Sequence, residues 1–191
     1  IVEENKDRVQ FLDQNQRLIA FPHTADLPRC GVYVNGRLYV VSQNGRKVCV
    51  FDQQGNELFT FGSQGNGNGQ FQSPVGIAAS YLGSDLEIFV SDYGTDTVSV
   101  FDEFGAYKRN FWAQSTEPRD LAIDDNGSVY LADIHDKINV FDKNGTLLRT
   151  ITGVTGDPWG LSIHGDHLAV GNNLEASSKV RIYSLDGSLL H

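Results

Sequence analysis

Four prolines, Pro28, Pro74, Pro118 and Pro158, are followed by Arg29, Val75, Arg119 and Trp159. A second set, Lys47, Thr97, Lys137 and Lys179, stands just ahead of four alternating apolar runs, with Arg46, Tyr93 and His135 in the same segments. Guanidinium and ammonium groups contact phosphates or carboxylates, and flat rings stack on bases or seat apolar side chains. If the prolines mark equivalent points of a repeating unit, these residues form two rings on one face. Asp26, Asp96, Glu117, Asp136, Asp157 and Glu175 share those segments and largely cancel the positive charge. The mixture favours a rim for a protein partner over an RNA-binding face.

Other motifs carry less chemistry. The glycine-rich run 62–69 lacks a Gly-Lys-Ser/Thr ending and leads to a proline-headed strand, so it reads as a connecting loop and not a phosphate cradle. Asp124-Asp-Asn-Gly opens like a calcium loop, but His135 stands where the bidentate acid is required. Asp92 and Asp133, and the series Asp13, Asp52, Asp102 and Asp142, sit where aspartates cap turns through backbone N–H groups. His23, His135, His164, His167 and His191 give no three-ligand metal spacing. No metal or cofactor is expected.

The elements that position these residues follow from the repeat. The marker prolines run 28→74→118→158, steps of 46, 44 and 40. That period, filled by short apolar runs between Gly, Asn and Asp, is the mark of a β-propeller blade or other repeat array, and the four-strand pattern within each unit matches a propeller. Each unit reads as a small-residue strand after the proline, an apolar strand ending in Asp or a stand-in, an alternating strand closed by Phe51, Phe101, Phe141 or Tyr183, and a strand after a glycine turn. The expected fold is all-β: four complete blades, about 28–61, 74–111, 118–151 and 158–190, with an N-terminal half-blade at 8–21. Such a fan is open, so the faces around Val9, Phe11 and Leu18 and around Leu161, Val170 and Ile182 are expected to drive self-association or complementation by further blades.

Composition narrows the partners. With 24 acidic and 15 basic residues the net charge is −9, which disfavours non-specific attraction to nucleic acid or anionic membrane. Cys30 and Cys49 make no disulfide framework, and no apolar stretch reaches membrane-spanning length. These features point to a cytoplasmic protein. Asn126-Gly-Ser and Asn144-Gly-Thr fit the glycosylation pattern but read better as hairpin turns. The chain has no methionine, which suggests a piece of something longer.

The run from Phe61 through Gln70-Phe-Gln-Ser-Pro74-Val-Gly-Ile-Ala, with Val90-Ser-Asp-Tyr-Gly-Thr-Asp-Thr-Val-Ser-Val-Phe-Asp102, resembles an NHL repeat. The likeness covers nearly the whole chain and weakens where Ser42 and Asn172 replace the usual Asp. It implies a ring of six blades. The G-x-G-x-G-Q-F-x-x-P junction resembles the NHL domains that end tripartite-motif ubiquitin ligases. That resemblance implies a non-catalytic platform recruiting a protein, with RNA as the alternative ligand. The lyase of peptide-amidating enzymes is related to NHL repeats, but its histidine set has no counterpart here. An axial-metal hydrolase or lyase is therefore the poorer alternative, and the domain itself is expected not to be an enzyme.

Overall fold

The computed structural model of the chain describes residues 2–3, 8–12, 18–20, 26–115, 117–154, 156–172 and 179–190, and their regular structure is entirely β. Four antiparallel blades surround one axis. The first is Pro28–Val34, Arg37–Ser42, Lys47–Phe51 and Glu57–Phe61; the second is Pro74–Leu82, Asp85–Asp92, Thr97–Asp102 and Tyr107–Trp112. The third is Pro118–Ile123, Val129–Asp133, Lys137–Phe141 and Leu147–Thr152. The fourth has three strands, Pro158–His164, His167–Asn172 and Val180–Ser184. The last strand expected there is reduced to a bridge between Tyr183 and Leu189, with the Leu190 N–H donating to the Ile182 carbonyl at 2.8 Å.

At the N-terminus Val2–Glu3 pairs with Arg8–Val9, and Phe11–Leu12 pairs with Leu18–Ala20. Asp13, Phe21, His23, Glu175 and His191 lie outside the described residues. Val9 is buried against Val40, Cys49 and Phe51, so this segment covers the first blade. Val170 is also buried, while Leu161 and Ile182 are half-buried. The expectation that Val9 and Val170 front open faces is corrected by this packing.

The two middle strands of each complete blade are buried on both faces because neighbouring elements sandwich them. The aromatic that closes the third strand fills the widening gap between blades. Phe101 lies 4.8 Å from Phe61 of the preceding blade and 5.7 Å from Phe71, ring centre to ring centre. Phe71 is fully buried and anchors the glycine-rich run as an inter-blade loop. At the following turn the Asp102 carboxylate accepts from the Phe104 and Ala106 N–H groups, each at 2.9 Å. Gly105 there has φ 83°, and a Cβ on it would come within 2.6 Å of Phe61.

One irregularity recurs in every blade. Pro28, Pro74, Pro118 and Pro158 pair with Ser42, Asp92, Asp133 and Asn172, and the register then shifts. Proline supplies no N–H and so starts the strand, and the extra residue behind it forms a bulge that re-aims side chains. The innermost strands run so close beyond the bulge that a Cβ on Gly76 would lie 2.8 Å from the Arg119 carbonyl and 2.8 Å from the Asp120 Cα. At Gly160 the nearest atom would be 4.0 Å away.

The contrast makes a prediction. Gly76→Ala forces backbone to move, costs about 1–3 kcal/mol and lowers Tm by about 3–10 °C. Gly160→Ala leaves Tm unchanged or slightly raised. Equal melting curves for the two variants would contradict the close convergence of the inner strands.

Candidate functional site

The bulges deliver their residues to one place. Arg29, Cys30, Val75, Arg119, Asp120, Trp159 and Gly160 line a cavity of ≈190 Å³ at the end of the axis. The Arg119 guanidinium lies 4.2 Å from the Trp159 ring centre and 4.7 Å from that of Tyr93. Arg29 approaches the same indole at 5.8 Å. Arg29, Tyr93, Arg119 and Trp159 come from four successive blades, so the cluster exists only when all four are assembled. Burial lowers the pKa of Arg119, with Tyr93 and Glu117 opposing that effect. Glu117 also holds the Tyr93 phenol above its ordinary value by accepting its hydrogen bond.

Beneath this mouth the axis narrows. The Cys30 thiol donates to Asp120 Oδ1 at 3.6 Å, and the Leu161 N–H donates to Oδ2 at 3.0 Å. Both Cys30 and Asp120 also line a lower channel of ≈270 Å³ walled by Val32, Ile77, Ala79, Ile123 and Ile163. Burial pushes the Asp120 carboxyl up to about 6, against the lowering effect of its hydrogen bonds. Burial, reinforced by the Asp120 charge, pushes the Cys30 thiol up to about 12. Cys30 is thus no nucleophile at neutral pH. Asp120 can exchange a proton there.

The mouth is held by strained turns. Leu27, Glu117 and Asp157 precede their prolines with φ of 53°, 65° and 49°. Side chains of the previous blade fix two of them. Asp96 Oδ1 accepts from the Glu117 N–H at 2.9 Å, and Asp136 Oδ1 accepts from the Gly156 and Asp157 N–H groups at 2.8 and 3.1 Å. Asp92 accepts from the Gln72, Ser73 and Gly94 N–H groups at 2.7–2.8 Å. The Asp124 carboxylate accepts from the Asn126 and Ser128 N–H groups, so this run is a tight turn.

Tyr93 apart, the second set of residues does not join the cluster. Arg46 Nε donates to the Gln72 carbonyl at 3.1 Å. Lys137 Nζ pairs with Asp133 Oδ2 at 3.1 Å, and His135 Nδ1 lies 2.7 Å from Oδ1 of the same aspartate. Lys47 begins its strand half-buried, and Lys179 is exposed with its N–H on Asn172 Oδ1. Sequence reasoning missed Asp120 as a site residue. The signal was its place two residues after the proline, where Gly76 and Gly160 stand in neighbouring blades. Among the described residues no three His, Cys, Asp or Glu side chains gather as metal ligands.

Comparison with solved structures fixes the fold. Virginiamycin B lyase from Staphylococcus aureus superposes with a TM-score of 0.75 at 12% identity, over 98% of this chain and 63% of that one. The chain is a β-propeller of the kind that lyase shows. A catalytically inactive variant of the same enzyme, solved with quinupristin, matches with TM-score 0.75 and 11% identity over 98% and 63% of the two chains. Kuenenia stuttgartiensis hydrazine synthase matches with TM-score 0.69 and 18% identity, over 89% and 50%. The chain therefore spans half to under two thirds of these structures. No protein-family profile and no curated protein sequence matches it. The expectation that the domain is not an enzyme is corrected, because enzymes are among the structures that share its fold. The NHL and tripartite-motif resemblance rests on the sequence motifs alone.

Asp120 makes stability depend on pH. Its folded-state pKa lies above the ordinary 3.8, so its stabilising contribution is full below about pH 4 and is lost as pH rises through about 6. Asp120→Asn is expected to be more stable than the parent above pH 7, by roughly 2–3 kcal/mol. The gap closes near pH 4. Urea unfolding at the two pH values measures this, and a gap that does not change with pH would show that Asp120 is not desolvated.

Proposed function

We propose that the chain is a recognition propeller whose loop face, centred on the axial mouth, docks a protein partner through an anionic segment. The supporting observation is the stack of Arg29, Trp159, Arg119 and Tyr93, one residue from each of four blades. Arginine, tryptophan and tyrosine carry most of the binding energy in protein interfaces. Glu117 and Asp157 offset the cluster's charge locally, and the chain as a whole carries −9. That balance weakens long-range attraction to an RNA polyanion and leaves short-range contact with discrete carboxylates. The tripartite-motif resemblance supports placing the surface at the substrate-recruiting end of a ubiquitin-ligase-like protein in the cytoplasm.

Titration of a fluorescent acidic peptide and a single-stranded RNA tests this reading. Combined Arg29→Ala, Arg119→Ala and Trp159→Ala is expected to weaken the peptide by about tenfold or more, with RNA bound weakly throughout. RNA binding that is tight, falls steeply with salt and is lost in an Arg29→Ala, Arg119→Ala, Lys137→Ala variant would put RNA in the partner's place.

A second reading, lyase-type chemistry in the cavity, is favoured by the Asp120 carboxyl at about 6. Mass spectrometry of quinupristin incubated with the chain tests it. A product that Asp120→Asn abolishes supports the reading, and unchanged quinupristin removes that compound as a substrate.

A further inference from the structure

The Arg119 guanidinium carbon lies 4.7 Å from the Tyr93 ring centre and 4.2 Å from the Trp159 ring centre. One of the guanidinium's donors, Nε, is buried with no hydrogen-bond partner among the described residues. Glu117 comes no nearer to Nη2 than 3.9 Å, too far for a fork-to-fork pair. A buried donor without an acceptor is costly, and an acceptor that reaches it relieves that cost. Arg119 lines the cavity, and its planar fork of N–H donors matches the two oxygens of one carboxylate.

Size narrows the ligand further. The cavity of ≈190 Å³ is close to the ~150 Å³ that holds a benzene, and below the ~300 Å³ at which pockets begin to take drug-sized molecules. It suits one side chain.

We propose that the axial cavity is the socket for a single carboxylate-bearing anchor of the docked partner, an Asp or Glu side chain or a C-terminal carboxylate, held by the Arg119 fork against Trp159. This rests on the reading of the loop face as the docking surface. Asp120 lines the same cavity and sets how docking responds to pH. It is faced by the Cys30 thiol from the first blade, the Leu161 N–H from the fourth and the Leu121 N–H of its own strand. Arg29, Glu117, Asp157 and Tyr93 surround the neighbouring Arg119. An ionised Asp120 repels an incoming carboxylate, and a protonated one does not. With Asp120 at about 6, docking tightens as pH falls through that value. It persists until the anchor itself is protonated, at about 4 for an ordinary carboxylate.

The test uses Trp159 as its reporter. Trp112 is exposed on an outer strand, and Trp112→Phe leaves Trp159 as the chain's only tryptophan. In that background acetyl-glutamate methylamide is titrated beside its glutamine counterpart, free glutarate, inorganic phosphate and an acidic peptide. The glutamate probe is expected to shift the Trp159 emission saturably, and the glutamine probe is not. Affinity rises by roughly tenfold between about pH 7.5 and about pH 5. Arg119→Lys, which keeps the charge and loses the fork, weakens the probe by about tenfold. Asp120→Asn flattens the pH dependence of binding.

Equal binding of the glutamine probe, or a pH profile that Asp120→Asn leaves unchanged, would overturn the socket even if acidic peptides still dock. Glutarate or phosphate binding more tightly than the glutamate probe would make this a small-anion site and overturn the anchor. If the probe binds as expected but no acidic peptide does, the socket stands and the partner reading falls.

Discussion

Each blade enters the axis through a proline, and behind that proline the strand register slips by a residue. A proline cannot take part in the ladder as a donor, so the neighbouring strand ends opposite it with a side chain that binds backbone instead. In the second blade that side chain is Asp92, which accepts three N–H groups from the entering and leaving loops. In the first it is Ser42, whose hydroxyl donates to the Asp26 carbonyl. The proline and the polar residue are therefore two halves of one device. Its product is the bulge that turns Arg29, Cys30, Arg119, Asp120 and Trp159 toward the axis.

The blades are also tied at their outer rim, and the ties keep the mouth in register. Glu87 is buried, and Arg109 grips both its oxygens at 2.8 and 2.6 Å while donating to the Lys143 carbonyl of the next blade at 2.6 Å. Burial alone would raise the Glu87 pKa, but Arg109 and Lys108 outweigh it and hold the group ionised. Arg149 donates to the Leu185 carbonyl of the fourth blade, and the Tyr39 hydroxyl to the Glu103 carbonyl of the second. Such contacts hold neighbouring blades at a fixed angle while the aromatic layer fills the wedge between them.

Much of this was legible in the sequence because a repeat states its geometry several times over. The strands, the inter-blade aromatics Phe51, Phe101 and Phe141, and the aspartate turns all follow from periodicity and turn chemistry. Ser188 to Leu190 was harder: the segment has the right composition, but with one bridge it is too short to form a ladder. At the site, equivalence by repeat groups Arg29, Arg119 and Trp159, which lie side by side in the structure. It also groups Arg46, Lys47, His135, Lys137 and Lys179 with them, but Arg46 binds the Gln72 carbonyl in the loop entering the next blade, His135 and Lys137 pair with Asp133 beside them, and Lys47 and Lys179 do not line the cavity. Asp120 escaped notice because an acid at a small-residue position looks like a surface substitution. Only the assembled axis reveals that it is desolvated beside Cys30, ninety positions away in sequence.

The account stands on the convergence of four separate bulges at one mouth, and the pair that spans it most widely is Arg29 in the first blade and Trp159 in the fourth. A double-mutant cycle on unfolding free energy, with Arg29→Ala, Trp159→Ala and the double variant, measures whether they meet. The account predicts a coupling of about 0.5–1 kcal/mol, the worth of a half-exposed cation–aromatic contact. Strictly additive effects would mean that the first and fourth blades do not share an axial mouth, and the account would be wrong.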